Sequence, residues 1–137
     1  PSLVRKGVDA HMTALVDEMD AGKVDALLVI NTNPAYHYPD ADRFADLLKK
    51  TGLTVSLATA GDETSALCGY VCPSSHYLES WGDAEPVSGT FALQQPLINP
   101  IFNTRQWEES LLRWSGKPRN GPMPAIPAGR PRRWATC

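Results

Sequence analysis

The chain has 137 residues, 42% of them apolar and 20% charged, which fits one globular domain with one core and excludes a disordered chain or two full domains. No apolar run approaches the ~20 residues of a membrane-spanning helix, and no leader pattern opens the chain. The net charge of −2 is unevenly spread: through Glu109 fifteen acidic residues face seven basic ones, and Arg113, Lys117, Arg119, Arg130, Arg132 and Arg133 follow without an acid among them. The start at Pro1 rather than methionine reads as a processed or excised piece.

In chain order, "VDAHMTALVDEMDAG" places Val8, Met12, Leu15, Val16 and Met19 on one helical stripe, with Gly22 where the helix stops. The run Ala26 to Ile30 is apolar on both faces, as a central parallel strand is. Pro39 and Asp40 open a second helix with a Phe44, Leu47, Leu48 stripe and Lys49 and Lys50 at its end. Strands follow at Leu53–Ala58 and Tyr70–Cys72, with a short acid-led helix "GDETSAL" between them. This alternation predicts an α/β, three-layer Rossmann-like domain with a short, mainly parallel sheet covered by helices on both faces.

After Pro73 the periodicity fails. "SSHYLESWGDAEPVSGTFALQQPLINPIF" predicts an irregular excursion with one short hairpin near "VSGTFAL". "NTRQWEESLLRWSG" predicts a closing helix capped by Asn103 or Thr104, with Trp107, Leu111 and Trp114 on one face. Residues 1–116 therefore form the domain and 117–137 a Pro- and Arg-rich tail without regular structure, anchored through Met123, Ile126 and Trp134. The acidic body excludes nucleic acid as a partner, because strong binding needs a basic surface against phosphates.

Three cysteines are an odd number and argue against a disulfide framework; they read as buried small apolar side chains. Cys68, Cys72 and His76 lack a fourth metal ligand, so no metal is expected. Ser75, His76 and Asp83 carry the residue types of a hydrolase, but neighbours on an extended chain point to opposite sides. Ligands of open parallel sheets bind beyond the carboxyl ends of the strands, where "NTNPAYHY", "TAGDETS" and "PSSHYLESWGD" converge. Asn31, Asn33, Thr59, Asp62, Glu63 and Thr64 there suit a nucleotide-like ligand, although neither GxGxxG nor GxxxxGK[ST] is present.

The collinear set "NTNP", "PDADRF", "DETSAL…YVCP" and "HYLESWGD…LQQPLINPIFNTR", from about Leu15 to Gly116, resembles the molybdopterin oxidoreductase family. "SHYLESWGDAEPVSGTFALQQPLINP" is most similar to the molybdoenzyme-like iron–sulfur subunit of bacterial alternative complex III, of which the chain would be a single-domain fragment. The resemblance implies an ancestral cofactor-binding side formed by Asn31, Thr32, Asn33, Pro34, Asp62, Glu63 and Thr64. It makes His76, Glu79, Trp81 and Asp83 a structural loop, with Trp81 buried and the carboxylates bonded to backbone or arginine.

Relatives that carry a cofactor hold a molybdenum bis-guanine-dinucleotide, whereas those of alternative complex III lack it and use this region as scaffold, so the resemblance implies a non-catalytic scaffold here, with no catalytic residue and no cofactor of its own. An active molybdenum oxidoreductase and a nucleotide-binding module are the alternatives. The implied partners are other domains or subunits of a membrane-associated respiratory electron-transfer complex, without direct membrane insertion. The parent would be exported to the periplasmic side, and the isolated piece would form a homodimer. The tail departs from the family pattern and reads as truncated or out of frame.

Overall fold

The computed structural model describes residues 7–116. The proposed tail and its three anchor residues lie outside the described residues. Helix α1 (Asp9–Asp20) leads into strand β1 (Ala26–Ile30), a short helix α2 (Pro34–His37), helix α3 (Ala41–Lys50) and strand β2 (Leu53–Leu57). Helix α4 (Glu63–Leu67) and strand β3 (Tyr70–Val71) complete the alternation. A single 3-10 turn (Tyr77–Glu79), a hairpin of β4 (Gly82–Val87) and β5 (Thr90–Gln94), and helix α5 (Trp107–Trp114) follow.

The three parallel strands stand in the order β1-β2-β3, with Leu28 beside Val55, Ile30 beside Leu57 and Ser56 beside Val71. Ladder bonds continue past β3, since Cys72 N–H donates to the Ser56 carbonyl and Ser74 N–H to that of Ala58. That extension carries the loop after β3 to the same end of the sheet as the loops after β1 and β2.

Two helix ends have a clear local cause. Asp40 caps α3 by accepting from Arg43 N–H, as the Pro39-Asp40 opening implies. Gly22 ends α1 with φ 66°, a conformation that suits glycine, and its N–H donates to the Met19 carbonyl. Arg43 reaches from α3 to Asp17 and Asp20 of α1, and those carboxylates hold its guanidinium pKa up. The Asn-Pro loop after β1 forms the α2 turn, which Pro34 at its first position favours.

The core lies on one face of the sheet. Val16 and Met19 of α1 pack with Phe44, Leu47 and Leu48 of α3, and Leu27 and Val24 border them. The opposite face carries Val55, Leu57 and Cys72, with Ile30 and Trp107 against them. Trp107 of α5 covers only the carboxyl end there, and Leu28 stays 42% exposed, so the expected cover on both faces is partial. Cys72 is buried but disulfide-bonded rather than a free thiol, against expectation. Cys68 is a half-buried free thiol whose pKa is pushed up by desolvation, which keeps it protonated and unreactive.

Candidate functional site

Beyond the carboxyl ends of β1, β2 and β3 opens a cleft of about 690 Å³, within the size range of small-molecule sites. Asn31, Thr32, Asn33 and His37 line it after β1, and Ala58, Thr59, Ala60 and Asp62 after β2. Ser74, Ser75, His76, Tyr77, Ser80 and Trp81 follow β3, while Gly82 and Gln94 of the hairpin and Gln106, Trp107 and Glu108 at the start of α5 close the other wall.

Two of these loops are tied to each other. Asn33 Oδ1 accepts from both the N–H (3.3 Å) and the hydroxyl (2.7 Å) of Thr64, and its Nδ2 donates to Glu63 Oε2 at 2.6 Å. The fully buried Thr64 hydroxyl in turn accepts from Ala35 N–H at 2.9 Å. Asp62 caps α4 by accepting from Ser65 N–H, and Ser65 Oγ accepts from Asp62 N–H in return. Asn33, Glu63 and Thr64 are therefore engaged with one another, and Pro34 begins α2. Asn31, Thr32, Asn33 and Asp62 are the members of the sequence-predicted set on the cleft wall; Pro34, Glu63 and Thr64 stand outside it.

The Asn33 hydrogen bond, followed by the Glu63 backbone N–H, holds the Glu63 carboxyl below the ordinary glutamate range. A depressed carboxyl contributes stability above its unfolded pKa, and that contribution is lost as pH falls through the folded value. Glu63→Gln should therefore give a shallower decline of the urea midpoint than the native chain on acidification below about pH 4.5. Superimposable acid limbs for the two proteins would show that the carboxylate does not report on this tie.

The stretch Ser74 to Glu85 folds as a clamp. Ser75 Oγ lies 3.1 Å from Thr104 Oγ1, and His76 Nδ1 accepts from Leu78 N–H. Glu79 Oε2 accepts from His76 N–H while its Oε1 accepts from Ile101 N–H, and the Leu78 carbonyl takes the N–H groups of Leu97 and Ile98. Ser75 and His76 thus look to different partners, and Asp83 sits in β4 opposite Leu93, so no Ser-His-Asp arrangement is assembled.

Two expectations fail in this region. Trp81 is 56% exposed on the cleft rim instead of buried, because no element among the described residues packs over it; its carbonyl accepts from Gln106 Nε2 at 2.6 Å. Helix α5 starts after Gln106 without a side-chain cap, and Thr104 pairs with Ser75 rather than capping.

Sequence reasoning also missed Gln106, Trp107 and Glu108 as cleft residues. Their only signal was a helix start, which says nothing about where that helix docks. Among the described residues no group of three His, Cys, Asp or Glu side chains converges as a metal site would require.

The lining decides which part of a ligand this wall could hold. Amides, hydroxyls and the aromatic faces of Tyr77, Trp81 and Trp107 suit a base and sugar. Among the described residues the lining includes no lysine or arginine, the usual partners of phosphate, and its carboxylates Asp62 and Glu108 oppose an anion. The residues present fit the nucleoside end of a dinucleotide cofactor and not its pyrophosphate.

The chain is a parallel α/β domain with a polar cleft at the carboxyl ends of its strands, the place where open α/β sheets bind ligands. No family model matches the chain. Over 96 residues it is 32% identical to the molybdopterin-binding-like subunit of menaquinone reductase from Nitratidesulfovibrio vulgaris, covering 67% of this chain and 14% of that protein. It is 28% identical over 93 residues to the catalytic subunit of the assimilatory nitrate reductase of Bacillus subtilis, covering 68% of this chain and 13% of that one. The chain thus spans about one-seventh of the length of these curated relatives. The two partial likenesses support a molybdopterin-oxidoreductase-like fragment.

Proposed function

We propose that this chain is a non-catalytic domain of a molybdopterin-oxidoreductase-like subunit, a scaffold and the remaining wall of an ancestral cofactor cradle. The observation that carries this reading is the Asn33–Glu63–Thr64 tie, which commits polar side chains at the strand ends to holding two loops together beside a cleft that has no lysine or arginine among its described lining residues. In this reading the parent subunit belongs to a respiratory electron-transfer complex of the alternative complex III type, exported and attached on the periplasmic side. Other domains or subunits of that complex would cover the exposed face of the hairpin.

If a molybdenum bis-guanine-dinucleotide is present in the parent, Asn31, Thr32 and Asp62 would face its nucleoside end. Other parts of the parent would hold its phosphates and its metal, which supplies the redox chemistry. The purified chain should contain no molybdenum by elemental analysis and should gain less than about 2 °C in melting temperature with millimolar GMP. The favoured rival is a guanine-nucleotide module, because the cleft suits a base. A site with a dissociation constant a hundredfold below the added nucleotide would stabilise by about 2.7 kcal/mol, a rise on the order of 10 °C that would replace the scaffold reading.

A further inference from the structure

The polar groups lining the cleft are weighted toward acceptors. Gln94 Nε2 donates to the Tyr77 carbonyl and Gln106 Nε2 to the Trp81 carbonyl, each at 2.6 Å, and the oxygens of both amides meet no donor among the described residues. His76 accepts from Leu78 N–H at Nδ1, so its ring holds its one proton on Nε2 and carries no charge. The two carboxylates in the first turn of α5 differ from each other. Glu109 pairs with Arg113 at 3.1 Å. Glu108, on the cleft wall, makes neither hydrogen bond nor ion pair among the described residues; its Oε2 is buried and its other oxygen remains accessible. A carboxylate half withdrawn from water is costly unless a donor or a cation meets its open side.

We propose that the cleft binds a planar organic cation of the amidinium or guanidinium class, with the Glu108 carboxylate as its counter-ion and the exposed rings of Trp81 and Tyr77 as its stacking faces. The inference concerns the cleft alone, goes beyond the scaffold reading and needs no redox complex. Such a cation carries donors and no acceptor, which matches a wall of unengaged carbonyl and carboxylate oxygens. Its planar fork meets a carboxylate through two parallel bonds, and its face is attracted to an aromatic ring. Trp81 is 56% and Tyr77 63% exposed, so both rings are available. The Gln106 bond to the Trp81 carbonyl draws the start of α5 against the rim and keeps Glu108 and Trp81 on adjoining parts of the wall.

Two other ligand classes fit this wall less well. An anion meets Asp62 and Glu108 and finds no lysine or arginine among the described lining residues. A neutral planar ring gains the stacking but leaves Glu108 without a counter-charge. The cationic chemistry has two sources: a small molecule from solution, or the chain's own Arg130, Arg132 and Arg133, which follow α5 in the sequence with no acidic residue among them.

Calorimetric titration of the 137-residue chain at pH 8 should show benzamidine bound at least about tenfold more tightly than benzamide, its neutral counterpart of the same shape. Glu108→Gln should erase that preference with the far-ultraviolet circular dichroism unchanged, and Trp81→Ala should weaken both probes together. Asp83→Asn removes one negative charge outside the cleft and should leave the preference intact. Equal affinity for the two probes, tighter binding of benzoate, a preference that survives Glu108→Gln or is lost equally in Asp83→Asn, or binding indifferent to Trp81→Ala would each overturn the assignment. If the native chain binds neither probe, the variant Arg130→Gln/Arg132→Gln/Arg133→Gln decides between the sources. Selective benzamidine binding gained there assigns the cation to the chain's own arginines, and its continued absence would overturn the proposal.

Discussion

Phe44→Ala should cost about 3–5 kcal/mol of folding stability, a large share of the ~5–15 kcal/mol that a domain of this size possesses. Phe44 is 1% exposed and joins α1 to α3 through Val16, Met19, Leu47 and Leu48, with Tyr38 edge-on to its ring at 6.4 Å. Truncation leaves a void that two helices and a sheet cannot close without breaking the strand pairing beneath them. Phe44→Leu keeps most of the volume and should cost about 1–2 kcal/mol. Urea unfolding followed by circular dichroism measures both. An alanine variant within about 1 kcal/mol of the native chain would mean that the core is not where the packing places it.

Thr64→Val should cost about 2 kcal/mol although it preserves shape. The valine leaves Ala35 N–H and Asn33 Oδ1 without the hydroxyl that both use, in a site with no exposure, where an unsatisfied group costs about 1–3 kcal/mol. Thr64→Ser keeps the hydroxyl and should recover most of the loss. Because Asn33 and Thr64 share one bond network, the double variant Asn33→Ala/Thr64→Val should be markedly less destabilised than the two single losses added together. Strict additivity would dissolve the tie into independent contacts.

The parallel half of the fold was legible in the residues. Runs apolar on both faces, a stripe at helical spacing and the Asp40 and Gly22 boundaries are local signals, and the strands fall within a residue of their expected ends. The hairpin near "VSGTFAL" was legible for the same reason, since Ser88-Gly89 makes a turn between alternating residues and Gly89 has φ 85°. The cleft was legible only in part. Asn31, Asn33 and Asp62 follow from the rule that loops at strand ends meet, but that Thr64 would saturate Asn33 depends on a contact across thirty-one residues. The exposure of Trp81 depends on what packs above it, and composition alone cannot encode that. A tryptophan reads as buried because most are, and this one stands on a rim.

Asn31 closes β1 with φ 48°, the one non-glycine residue of positive φ among those described, and its N–H donates to the Leu57 carbonyl across the ladder. Glycine enters that region without a steric penalty, asparagine and aspartate offset it by local hydrogen bonding, and a β-branched residue is an outlier there. Mutational drift at this position is therefore channelled into three amino acids whether or not anything binds in the cleft. Among descendants of this chain, an unchanging residue 31 would be the imprint of a backbone turn. The evolutionary trace of a ligand would have to be sought in neighbours such as Thr32 and Thr59, whose backbones impose no such filter.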